Sequence, residues 1–176
     1  STSLLEGLVW GYRAGADVLG IDYSETAISA GKHRFPLVTD RLKTANYKDI
    51  GALSPGVVVM QGVLEHLDKP FGELEWMLDT WNPSTIITSS PGFLNPRGIV
   101  WMTLAHMGAV VSKTDLHYLN PWQFSYFAHI AGLKLKTKAC DVHWARGDKM
   151  VDDLKERIPL ALKDGGLPEM KDLDGF

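Results

Sequence analysis

Ala16-Asp17-Val18-Leu19-Gly20-Ile21-Asp22-Tyr23-Ser24-Glu25-Thr26-Ala27 is a short apolar run that ends in an acid and passes directly into a capped helix. The run predicts a strand over Asp17 to Ile21 that delivers the Asp22 carboxylate to the rim of a parallel sheet. Open α/β folds bind nucleotide-like ligands at that rim. An ionised carboxylate only accepts hydrogen bonds, and its two oxygens match the two hydroxyls of a ribose. A nucleoside cofactor is one reading of the segment; an exposed acid closing a strand, with no ligand, is the other.

Upstream of this stretch, Leu4, Leu5, Leu8, Val9 and Tyr12 recur at helical spacing after Thr2 and Ser3, and Gly15 closes the segment as a C-cap would. Downstream, Ser24 is placed to cap a helix with Glu25 in its first turn, Ala27 and Ile28 facing inward, and a stop at Phe35-Pro36. Leu42 to Ala45 reads as a short strand, and the β-branched run Val57-Val58-Val59-Met60 as a strand buried on both faces. Pro70 opens a helix with Phe71, Leu74, Leu78 and Trp81 on one face, and Asn82-Pro83 turns the chain into the strand Thr85-Ile86-Ile87-Thr88. An apolar helix follows over Ile99 to Val111. Another runs from Pro121 through Phe124, Phe127, Ala128 and Ile130 to Gly132, then a strand from Leu133 to Cys140 and a helix from Met150 to Leu162. Strands alternating with helices predict an α/β fold, a parallel sheet covered on both faces. The expected organisation is one domain over 1–146 with a C-terminal helix and polar tail at 147–176, without internal repeats.

At 176 residues, 45% hydrophobic and 22% charged, the chain suits one globular domain with a sizeable core. Its formal net charge of -3 and the lack of any basic run argue against a nucleic-acid substrate. The single Cys140 excludes an internal disulfide and fits a reducing compartment. With no signal peptide before the first helix, a cytoplasmic location is expected. The apolar stretch Gly98 to Val111 is too short for a membrane span, which needs roughly 20 residues.

Five segments carry a resemblance. They are Val18 to Ile28, Asn46-Tyr47-Lys48-Asp49-Ile50, Gln61-Gly62-Val63-Leu64-Glu65-His66-Leu67, Ser89-Ser90-Pro91-Gly92 and His117-Tyr118-Leu119-Asn120-Pro121-Trp122-Gln123-Phe124. In order and spacing they resemble the class I S-adenosylmethionine (SAM)-dependent methyltransferases, in particular the subgroup that includes ubiquinone-biosynthesis and other small-molecule enzymes. The resemblance covers roughly residues 1 to 140. It implies a Rossmann-like, doubly wound, mostly parallel sheet with helices on both faces, SAM as cofactor and S-adenosylhomocysteine as product. Asp22 would then bind the ribose hydroxyls and Tyr23 would pack on the adenine. Asn46 stands where the family often has an Asp that accepts from the adenine amino group; Asp40 competes for that role. Tyr47 falls beside it, and Gln61 and Gly62 match contacts to the methionine half. The sequence departs from the family at one place. Ser1, Thr2 and Ser3 resemble only the end of the glycine-rich loop, and the family's first strand is not found. Either that strand lies upstream of Ser1 or something else replaces it.

Methyl transfer is a displacement at a sulfonium methyl, so a protein mainly aligns nucleophile, carbon and sulfur and excludes water. A base is needed where the nucleophile holds its proton near neutral pH, as a hydroxyl does. His66 and His117 are the candidates for that chemical role, against the alternatives of a helix-start residue bonded to backbone and a loop-ordering residue. His33, His106, His129 and His143 show no metal-ligand spacing, and no metal is expected. The insertion Phe93 to Thr114, with Trp101, Met102, Leu104, Met107 and Val110, reads as a lid over a partly apolar acceptor pocket, as plain core, or as a homo-oligomer surface on the 98–111 helix. The expected function is methyl transfer to a small-molecule or lipid-like acceptor. A non-catalytic methyltransferase-like binding module is the alternative, and a nucleotide-sugar or NAD enzyme is a third reading.

Overall fold

A computed structural model of the chain describes residues 2–51, 53–91, 96–111, 114–138 and 148–169. It is a mixed α/β structure with four short strands. They are β1 (Gly20–Asp22), β2 (Leu42–Thr44), β3 (Val57–Gln61) and β4 (Thr85–Ser89). The helices are α1 (Thr2–Arg13), α2 (Glu25–Arg34), α3 (Pro70–Trp81), α4 (Pro96–His106), α5 (Pro121–Ile130) and α6 (Asp148–Asp164). The strands form two separate pairs, β1 with β2 and β3 with β4. The first pair is parallel, with Gly20 opposite Leu42 and Asp22 opposite Thr44.

The chain divides into two compact units, one of residues 1–61 and 76–88, the other of 62–75 and 89–176. In the first unit Ile28, Val38 and Leu42 are buried, and Leu5, Leu8, Val9 and Phe35 pack around them. Gly20 is fixed by this packing. A Cβ there would come within 2.7 Å of a Leu42 methyl and 2.8 Å of a Leu8 methyl, so α1 and β2 close on the strand only because it lacks a side chain. Ser24 caps α2 as its sequence predicts, its side-chain oxygen accepting from the Ala27 N–H at 3.2 Å. β3 is not buried on both faces as its β-branched run predicts: Val57 and Val59 are each 52% exposed, and Ile87 on β4 is 53% exposed.

In the second unit α4 and α6 make the core. Trp101, Ala109, Leu154, Ile158, Ala161 and Leu162 are buried together, with Val100, Leu104, Val111 and Leu167 packed against them. This gives α4 a core role on its Trp101 face, while Ile99, Met107 and Val110 stay exposed. The expected 98–111 helix is shorter at its end. It stops at His106, where Gly108 at φ 96° and the Ala109 N–H to Leu104 carbonyl bond of 2.9 Å close the last turn. α5 starts on a capping box: Asn120 Oδ1 accepts from Gln123 N–H at 3.1 Å, and Gln123 Oε1 accepts from Asn120 N–H at 2.9 Å. Phe71 packs on Phe124 and Phe127 with ring centroids 5.3 and 5.5 Å apart.

Two more expectations need correction. The segment Leu133–Lys138 forms no strand and is exposed throughout, while Ala139 and Cys140 lie outside the described residues. Its Leu-Lys alternation suits a strand, but a strand exists only when a ladder partner takes its backbone groups. The second correction is local: the first strand runs Gly20–Asp22 rather than Asp17 to Ile21, so Asp22 closes it from within.

Candidate functional site

In the first unit, β1 ends at Asp22, whose carbonyl accepts from the Ala45 N–H at 3.0 Å and so continues the parallel pairing past the strand. The Asp22 carboxylate folds back on the turn into α2, Oδ1 accepting from the Ser24 N–H at 2.8 Å. Ser24 then caps α2, so the carboxylate stands at the partially positive start of a helix. Its second oxygen makes no hydrogen bond among the described residues. A cavity of about 310 Å³ opens beside it, walled by Leu5, Leu8, Ile21, Ile28 and Leu42 and rimmed by Asp22 and Arg34. Tyr23, the residue after the acid, is 87% exposed.

The other expected cofactor residues are held more firmly by the protein itself. Asn46 caps the short 3-10 turn Tyr47–Asp49, its Oδ1 accepting from the Lys48 N–H at 3.0 Å. That oxygen keeps one lone pair for a further donor. Tyr47 belongs to an aromatic cluster with Trp76 and Trp81, edge-on at centroid distances of 5.7 and 6.2 Å, and the Lys48 ammonium lies 5.5 Å from the Trp76 ring centre. Sequence spacing showed none of this packing, because Trp76 is far along the chain. Gln61 closes β3 and is half-buried. Thr2 and Ser3 form the first turn of α1, and Ser1 lies outside the described residues.

The second unit gathers a different set of groups. Gly62 sits at φ 60° and donates its N–H to the Ser89 carbonyl at 2.9 Å, turning the chain into the 3-10 turn Leu64–His66. A side chain is disfavoured at that φ. The Glu65 carbonyl accepts from both Leu116 N–H (2.8 Å) and His117 N–H (3.1 Å), which pins the segment 114–117 to this turn. His66 Nδ1 lies 2.9 Å from the Thr114 carbonyl and 3.2 Å from Asp115 Oδ1. A carbonyl only accepts, so Nδ1 carries the proton and the Nε2 of the neutral ring holds the free lone pair.

His117 is fixed in the opposite sense. Its Nε2 lies 3.1 Å from the Asp68 carbonyl and therefore donates, which leaves Nδ1 as the acceptor. Glu65 is 2% exposed, and its Oε2 has no hydrogen-bond partner among the described residues. Tyr118 has its phenol pKa raised above 10.0, first by burial and then by the nearby Asp115 charge. The acid Asp115 is the functional group that sequence reasoning missed. Its only signal was an Asp two residues before His117, and its pairing with His66 spans too much chain for any spacing rule. Among the described residues no group of three or more His, Cys, Asp or Glu side chains could hold a metal ion.

The chain matches no protein-family model, and no curated protein or solved structure matches it significantly. No helix among the described residues is long and apolar enough to cross a membrane.

Proposed function

We propose that this chain is a SAM-dependent methyltransferase acting on a small-molecule or lipid-like acceptor. The observation that carries the reading is Asp22: an acid closing a parallel strand, one oxygen tied to the Ser24 N–H at the start of α2 and the other with no hydrogen bond among the described residues. An ionised carboxylate donates nothing and keeps lone pairs on both oxygens, enough to accept from the two hydroxyls of a ribose beside the Ser24 bond. The finer fold reading goes with it. The pairs β1–β2 and β3–β4 are each two strands wide, which is marginal for a sheet, and one more strand between them would join them into a Rossmann-like doubly wound sheet.

The bound cofactor would supply an activated methyl on a positively charged sulfur. Asp22 holds the ribose, the exposed Tyr23 takes the adenine ring, and the apolar walls beside Asp22 keep water from that half of the ligand. The lone pair on Asn46 Oδ1 left by the Lys48 N–H accepts from the adenine amino group. His66 is the candidate base for a hydroxyl acceptor. Its Nδ1 proton is held by the Thr114 carbonyl and Asp115, which keeps Nε2 free to take the acceptor's proton.

Calorimetric titration of SAM and of S-adenosylhomocysteine into the protein tests the reading. Both are expected to bind at one site and to displace each other. An absence of heat from both ligands would refute the proposal and leave a non-catalytic binding module in its place.

A further inference from the structure

We infer that the exposed face of α5 together with the segment Leu133–Lys138 is a docking surface for an anionic lipid bilayer. The inference rests on the surface alone and stands whether or not the chain transfers methyl groups.

Trp122, Tyr126 and Ile130 follow each other at four-residue steps, so they form one stripe along α5. They are 67%, 69% and 66% exposed, and they adjoin one another along the helix rather than lying scattered. The opposite side of the helix is already used, since Phe124 and Phe127 pack on Phe71 and Ala128 is buried. At the end of α5, Gly132 at φ 65° and the Leu133 N–H to Ala128 carbonyl bond of 2.8 Å fix where the next segment leaves the helix. That segment carries Leu133 and Leu135, 42% and 40% exposed, alternating with Lys134, Lys136 and Lys138. Apolar and cationic groups therefore follow one another without a break.

Charge identifies the occupant. From Leu116 to Cys140 the sequence contains no Asp or Glu, although the chain as a whole has a net charge of -3. Three lysines in an acid-free stretch of a negative chain are a local excess of positive charge, which complements an anionic surface. Trp and Tyr, with an apolar body and a polar tip, favour the membrane–water interface. Lysine stems can lie along the apolar region while their ammonium groups meet lipid headgroups. A second copy of this chain is a poorer fit, because a two-fold contact would set the same lysines against each other.

The test is flotation of the intact chain with vesicles of phosphatidylcholine, with and without roughly one-third phosphatidylserine. Binding is expected to the anionic vesicles only, and to weaken as salt is raised. Each lysine near such a surface is worth about fivefold in partitioning, so Lys134→Ser, Lys136→Ser and Lys138→Ser together should weaken binding about 100-fold. Trp122→Ser with Tyr126→Ser should weaken it more than tenfold by removing the inserted rings. A control that removes the same charge elsewhere, Lys32→Ser, Lys43→Ser and Lys163→Ser, should bind as the parent does. Equal binding to neutral vesicles would overturn the inference, as would insensitivity to either set of substitutions or an equal loss in the control. So would retention on poly(U) without vesicle binding, or a parent dimer that Trp122→Ser converts to monomer without vesicle binding. All these positions are exposed, so circular dichroism of each variant should match the parent.

Discussion

Asp22→Asn separates the two tasks assigned to the carboxylate. The structural task is the 2.8 Å bond from the Ser24 N–H to Oδ1, which closes the turn from β1 into α2. An Asn side chain offers the same acceptor in the same place and is at home in such turns. Folding stability should therefore change by less than about 0.5 kcal/mol. The ligand task depends on charge, because a hydrogen bond to an ionised acceptor is worth about 1.5–3 kcal/mol against about 0.5–1.5 for a neutral one. Two ribose hydroxyls give a loss of roughly 2 kcal/mol, about a 30-fold rise in Kd for S-adenosylhomocysteine. Asp22→Ala should lose the ligand contact and also destabilise the chain by about 1 kcal/mol through the open turn. Calorimetric titration gives the first quantity and thermal unfolding of the same samples the second. An Asp22→Asn protein with the parent's Kd would refute the ribose assignment. A large drop in its melting temperature would show that the carboxylate serves the fold in a way its single hydrogen bond does not explain.

Gly62→Ala places a side chain at φ 60° and a Cβ 3.3 Å from Glu65 Oε1, so urea unfolding should report a loss of about 1–2 kcal/mol. Asn120→Ala removes the Gln123 N–H acceptor from the capping box of α5 and should cost about 1 kcal/mol in the same measurement. Tyr118 has a folded-state pKa above its unfolded value, so its contribution to stability is complete below about pH 10 and is lost as pH rises through the folded value. Tyr118→Phe should therefore flatten the alkaline fall of the melting temperature above pH 10 while leaving the curve near neutrality in place.

The parts of the fold that were legible in the sequence are those decided by neighbours along the chain. The Ser24 cap, the proline starts of α3 and α5 and the presence of a strand at Val57–Val59, though not its burial, each follow from local sterics or local hydrogen bonding. The Asp22 turn belongs to the same class. What the sequence hid depends on distant partners. Leu133 to Cys140 has a strand's alternation, but nothing local shows whether a partner strand meets it. Tyr47 reads as a site residue from its position after a strand, yet its surroundings are set by Trp76 and Trp81. His66 meets Asp115 only because the Glu65 carbonyl ties down the Leu116 and His117 amides, a backbone connection without a side-chain signature.

That backbone connection also bears on which histidine has the better claim to a chemical role. Both rings are oriented by a carbonyl, and among the described residues each leaves one nitrogen without a hydrogen bond, Nε2 in His66 and Nδ1 in His117. The difference is Asp115. The His66 and Asp115 side chains are 40% and 23% exposed, and an ion pair in that setting is worth at most about 1 kcal/mol, too little to act chiefly through charge. Its larger effect is geometric: with the Thr114 carbonyl it offers two acceptors to a single Nδ1 proton, and so holds one tautomer and one ring orientation. Among the described residues His117 has only the Asp68 carbonyl for the same purpose. The carboxylate thus fixes the direction of the His66 ring more firmly than that of His117, and under the proposed function this favours His66 as the group placed beside the acceptor.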